Sequence, residues 1–168
     1  MSHAPRKLSA WLAAGALASA PAFAQPTDTA QVEALERACA DVPVSAATAD
    51  LDALSERMNE AQAASTGTGH HEACTGWRQV VRDRASSPLL RADWAAKVAA
   101  SLVWMGRSAD AAPLLDAAYQ QYAQAGPGQS DNAGMVAGML TIIWVQRGQL
   151  DTALTWSQRA VDAVRSPG

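Results

Sequence analysis

The chain has 168 residues and a formal charge of −3, and 49% of its residues are hydrophobic but only 5% aromatic. That length suits one ordinary domain or a short array of repeats and argues against two packed domains. Thirty-nine residues are alanine; a chain so poor in Val, Ile, Tyr and Phe lacks what the strands of sandwiches and barrels need, so the composition points to an all-α fold.

Arg6 and Lys7 precede an apolar run over residues 8–20, and Ala22-Phe23-Ala24 follows. This is the charged, apolar and small-residue order of a secretory signal peptide, with cleavage expected after Ala24. The run is shorter than the roughly 20 apolar residues that span a bilayer and is broken at Pro21. The first cysteine, Cys39, is far from the cleavage point, so no lipid anchor is expected. The expectation is export to the periplasm or secretion, without stable membrane insertion once the signal is removed. Loss of residues 1–24 would move the formal charge to −5, leaving scattered cations with Lys97 as the sole lysine. Such a surface lacks the clustered basic footprint of a nucleic-acid binder.

Residues 25–49 should form an N-terminal helix and linker. An amphipathic helix is expected from residue 27 or 28 to 40, with Val32, Leu35 and Cys39 on one face and Pro43 as its end. A second helix, over residues 50–64, carries Leu51, Leu54, Met58 and Ala61 on one stripe, and Ser65-Thr66-Gly67-Thr68-Gly69 breaks it. A third, over 71–84, has Cys74, Trp77 and Val81 as its apolar face. In an oxidising compartment Cys39 and Cys74 read as a disulfide, worth about 3 to 4 kcal/mol in the chain-entropy account. Two buried thiols or an intermolecular bridge are the alternatives, because spacing alone does not establish the required Cβ geometry.

In the second half, two segments match at an offset of 42. Ser87 and Ser130 are expected to open long helices as N-caps, and Gly106 and Gly148 to close them in the left-handed conformation. Between those limits Trp94 corresponds to Val136, Val98 to Leu140 and Leu102 to Trp144; small residues correspond likewise, Ala92 to Gly134, Ala95 to Ala137 and Ala96 to Gly138. Beyond the glycines, Ala111 and Ala118 correspond to Ala153 and Ala160. Each segment reads as helix, tight turn, helix, with Gly126-Pro127-Gly128 between them.

A glycine, an alanine five residues on and another seven further, after a helix with regularly placed small residues, resembles the tetratricopeptide repeat. The period of 42 is similar to the longer repeats of the kinesin-light-chain type. The family's aromatic position four residues after the first alanine holds Leu115 in one unit and Ser157 in the other, with Trp156 next door. The resemblance implies a short right-handed α-solenoid of about three hairpins, at residues 50–84, 87–125 and 130–165, behind a leading N-terminal helix. In the first of these Ala73 and Gly69 stand near the turn positions and Val80 replaces the second alanine. The resemblance also implies a concave groove lined from the first helix of each unit: Asp93, Ala96, Ala100, Val103 and Trp104, then Met135, Gly138, Ile142, Val145 and Gln146. That groove is apolar and lacks the Lys and Asn residues with which chaperone-binding members grip a C-terminal carboxylate. It suits a hydrophobic peptide or partner helix, unless the chain's own leading helix fills it.

Candidate chemistry is sparse. His70, His71 and Cys74 open the third helix, and His70 with Cys74 would share a face at i and i+4 as two metal ligands. A site needs a third ligand, no other histidine lies beyond the signal, and a disulfide would remove Cys74, so a solvated helix start is the preferred reading. No nucleophile is paired with an oriented base, and no acid stands in an apolar run that would raise its pKa. Residues 66–69 follow a helix and lack the Lys-Ser/Thr ending of a phosphate loop. Gly134-x-x-x-Gly138 reads as close helix packing within the array. The sequence therefore predicts a non-enzymatic interaction module without cofactors, its partner a protein or peptide; the alternative is an enzyme or a small-ligand or metal binder using the His70, His71 and Cys74 region, with self-association as a purely structural possibility.

Overall fold

The computed structural model describes residues 26–165; the signal-like segment lies outside them. Seven helices occupy this stretch: α1 (Pro26–Ala38), α2 (Leu51–Ala63), α3 (His70–Arg82), α4 (Pro88–Trp104), α5 (Ser108–Ala125), α6 (Ser130–Gln146) and α7 (Leu150–Arg165), with a 3₁₀ turn at Pro127–Gln129 before α6. Among the described residues there is no strand, so the fold is all-α, as composition predicts. No helix among them is long and apolar enough to cross a membrane.

Each helix from α3 onward packs against the one before it, most extensively α7 on α6 and α5 on α4, and α1 lies against α4 and α5. The apolar stripes expected from sequence are the faces that meet. Trp94, Val98 and Leu102 of α4 and Val136 and Leu140 of α6 are buried; Leu35 of α1, Leu54 and Met58 of α2, and Cys74 and Trp77 of α3 complete the core.

The 42-residue offset reappears in the backbone. α4 and α6 each span 17 residues and start 42 apart, as do the starts of α5 and α7. Both first helices end in the same hydrogen-bonded cap. Gly106 N donates to Val103 O and Arg107 N to Leu102 O; Gly148 N donates to Val145 O and Gln149 N to Trp144 O. The glycines take φ of +75° and +71°, the left-handed state that this closure demands and only glycine enters without steric cost.

Local chemistry corrects the sequence reading at one helix start. Ser87 caps α4, its hydroxyl accepting from Leu90 N at 3.1 Å. Ser130 does not cap α6: the preceding 3₁₀ turn carries it into helical φ and ψ, and its hydroxyl donates backwards to Pro127 O at 2.7 Å. The position equivalent to Ser87 is Gln129, which makes no side-chain cap bond.

Candidate functional site

The groove positions of the first long helix are mostly small or occupied. Ala96 is buried, and Asp93, Ala100 and Val103 are half-buried. Asp93 accepts a 2.6 Å hydrogen bond from the Tyr122 hydroxyl on α5. Burial, and next that bond to Asp93, push the Tyr122 hydroxyl far above its ordinary pKa, so it stays a neutral donor and Asp93 is committed to α5. Trp104, one turn beyond Ala100, is instead 69% exposed.

On α6 the corresponding positions are open. Met135, Ile142 and Val145 are 57%, 55% and 52% exposed, and Gln146 is exposed as well. Gly138, between Met135 and Ile142, has no heavy atom within 4 Å of where a Cβ would stand. The expected packing role of the glycine pair therefore holds at Gly134 alone, where a Cβ would come within 3.1 Å of the Val164 side chain and 3.5 Å of Ala160 O. The result is an apolar strip on α6 with a notch at Gly138, and a separate exposed indole, Trp104, at the end of α4.

The leading helix does not cover this strip. Val32 of α1 faces Trp77 and Val81 of α3 and Arg91 and Ala92 of α4, around a cavity of about 90 Å³. On α4, Pro88, Arg91 and Ala92 lie on a different side of the helix from Asp93, Ala100 and Trp104, because residues one apart are rotated by about 100°. The possibility that α1 fills the groove is thus not realised.

The His70 to Cys74 region is a clamp on the end of α1. Cys39 and Cys74 form a disulfide. His70 is buried, 7% exposed; its Nδ1 is 2.8 Å from Ser101 Oγ and its Nε2 3.2 Å from Ala38 O. The solvated reading of this helix start fits His71, which is exposed, and fails for His70, whose ring fills the junction of α1, α3 and α4. The side-chain ligand atoms of Cys39, His70 and Cys74 lie within 4.8 Å of one another. With both sulfurs in a disulfide, however, the cluster offers a metal one imidazole and no thiolate.

One further α3 residue escapes sequence inspection. Arg78 is 9% exposed and donates to Val42 O at 2.7 Å, Cys39 O at 2.6 Å and Glu36 at 3.4 Å. His70, Cys74 and Arg78 recur every four residues, so one stripe of α3 holds the carbonyl end of α1, where a cation also complements the helix dipole. The four-residue spacing was visible, but an arginine at that spacing ordinarily signals a solvated face.

No family model matches the chain, and no curated protein or solved structure matches it.

Proposed function

We propose that the chain is an exported interaction module, a scaffold or adaptor of the periplasm or extracellular space, that holds a peptide or partner helix in an apolar groove and catalyses no reaction. The observation that carries this reading is the exposure of Trp104, Met135, Ile142 and Val145 on two helices that repeat one another at 42 residues. Single exposed apolar residues are ordinary, whereas a line of large ones around a glycine notch marks a surface that sheds water on binding. A flexible methionine and a rigid indole each suit the apolar face of a partner helix.

In this reading the helix pairs at residues 50–84, 87–125 and 130–165 are tetratricopeptide-like hairpins stacked as a solenoid. The matched glycine caps and the constant offset support it. The ordered charge, apolar run and small-residue ending of residues 6–24 support export, and the Cys39–Cys74 disulfide agrees with an oxidising destination.

The test is capture of partners from an envelope extract with the tagged wild-type protein and with Trp104→Ala. Truncating an interfacial tryptophan costs about 2 kcal/mol or more, roughly a thirtyfold loss of affinity, while an exposed position leaves folding stability within about 0.5 kcal/mol. The expected result is a set of partners recovered by the wild type and lost by the variant, with equal urea midpoints. Recovery of the same proteins by both would sink the groove.

A further inference from the structure

The face that α5 presents to the next hairpin is filled. Ala112 is 4% exposed, Leu115 0% and Tyr122 2%, and Tyr119 meets Trp156 of α7 edge-on with ring centroids 5.1 Å apart. Forty-two residues later the same positions hold Leu154, Ser157, Val164 and Val161, and no described residue follows to cover them. Leu154 is 71% exposed and Val164 62%. Leu150, Leu154, Ser157, Val161 and Val164 recur at alternating steps of four and three, the seam of a helix that packs along another helix. The tight turn at Gly148 and the approach of Gly134 to Ala160 and Val164 set the antiparallel register of α6 on α7. That register sets Val145 at the level of Leu150 and Ile142 at the level of Leu154 along the two helices.

We infer that this end face pairs with the same face of a second copy of the chain, about a twofold axis that sets the two α7 helices antiparallel. The side chains of Ile142, Val145, Leu150, Leu154, Val161 and Val164 are exposed by 55%, 52%, 66%, 71%, 39% and 62%. Covering all of them on both copies would bury at most about 1,200 Å², the lower bound of stable interfaces. The opposite end of the molecule offers no apolar counterpart. Apart from Val44 in the α1–α2 loop, every exposed large apolar side chain among the described residues lies at or beyond Trp104. The outer surface of α2 carries exposed Asp52, Glu56, Arg57 and Glu60. Head-to-tail stacking would set the seam against those charges, whereas twofold pairing sets apolar against apolar and closes at two copies. Charge agrees as well: α7 has Asp151 in its first turn and Arg165 in its last, so antiparallel helices bring each acidic end toward the other's basic end.

This pairing goes beyond the groove reading. The two share Ile142 and Val145 at a common rim, while Trp104 and Met135 belong to the groove and the α7 seam to the dimer. The experiment is sedimentation velocity of the purified protein over a concentration series reaching about 100 μM, where an interface at the small end of the stable range populates its dimer. The expected result is a mass that rises from one chain toward two and stops there. Leu154→Glu, and independently Val164→Glu, should weaken the dimer at least tenfold with far-UV circular dichroism unchanged, and Trp104→Ala should leave it intact. A one-chain mass throughout, growth beyond two chains, or a dimer indifferent to both glutamates would overturn the inference. None of those outcomes bears on whether Trp104 captures a partner.

Discussion

His70, Cys74 and Arg78 stand one turn apart on α3, and each fastens a different group at the end of α1: the Ala38 carbonyl, the Cys39 sulfur, and the Cys39 and Val42 carbonyls. A buried arginine is tolerable here because its guanidinium meets two carbonyls and a carboxylate in place of water. Between these residues sits Gly76, whose absent side chain makes room for the Trp94 ring of α4: a Cβ there would overlap the indole, which is itself 3% exposed and so has nowhere to swing. Gly76→Ala should therefore destabilise the protein by about 2 to 3 kcal/mol, read as a lowered urea midpoint. A shift under about 0.5 kcal/mol, the range of ordinary surface changes, would show that α3 and α4 can separate at no cost. Apart from the Cys39–Cys74 bond, none of this was legible residue by residue. A histidine beside a cysteine suggests ligands, an arginine suggests solvent, and a glycine in a helix suggests weakness; which of those readings holds depends on the helix laid across them.

At the scale of the element, the sequence was far more informative. The helices expected over residues 50–64 and 71–84 run from Leu51 to Ala63 and from His70 to Arg82. The first helix ends at Ala38, short of Pro43, where His70 takes up the Ala38 carbonyl and Arg78 those of Cys39 and Val42. Three helix ends share one closure: α4 and α6 use glycine at the left-handed position, and α2 uses Ser65, with Ser65 N donating to Gln62 O, Thr66 N to Ala61 O, and φ of +52°. A side chain in that conformation costs about 1 kcal/mol that glycine does not. Ser65→Gly should accordingly stabilise the protein by about 0.5 to 1 kcal/mol, allowing for the greater freedom of glycine in the unfolded chain. Urea unfolding measures it, and a loss of stability would refute the strain argument. The sequence placed the break within residues 65–69 but did not single out Ser65 as the left-handed residue, because backbone φ is not encoded by residue type alone.

On the scale of the whole molecule, the two ends of the helical stack are built differently. Toward the α2 end, α1 is strapped to α3 by a disulfide between residues 35 apart and by charged hydrogen bonds; at the other end α7 leaves its seam open. Replacing both cysteines by serine should cost about 3 to 4 kcal/mol in the chain-entropy account, measured as the difference in urea unfolding between the oxidised protein and the double variant. A cost below about 1 kcal/mol, the scale of one net hydrogen bond, would mean that His70 and Arg78 alone hold α1 in place. The open end differs: Leu154 and Leu150 are 71% and 66% exposed, so they contribute little to the stability of an isolated chain and are free for the pairing inferred above.

Helix type, turn position, the 42-residue repeat and the possibility of a Cys39–Cys74 bond were all readable from residue order, because caps, glycine turns and 3.6-residue periodicity act over a few neighbouring residues. Burial is a different kind of property. Ala112 and Leu154 occupy equivalent places in equivalent helices, yet one is enclosed and the other stands in solvent, since only the first has another hairpin stacked upon it. The same reasoning separates His70 from His71, adjacent in sequence and opposite in environment. Whether a side chain is core, clamp or contact surface was set by what packs over it, and in a stack of similar helices that is decided by position along the stack.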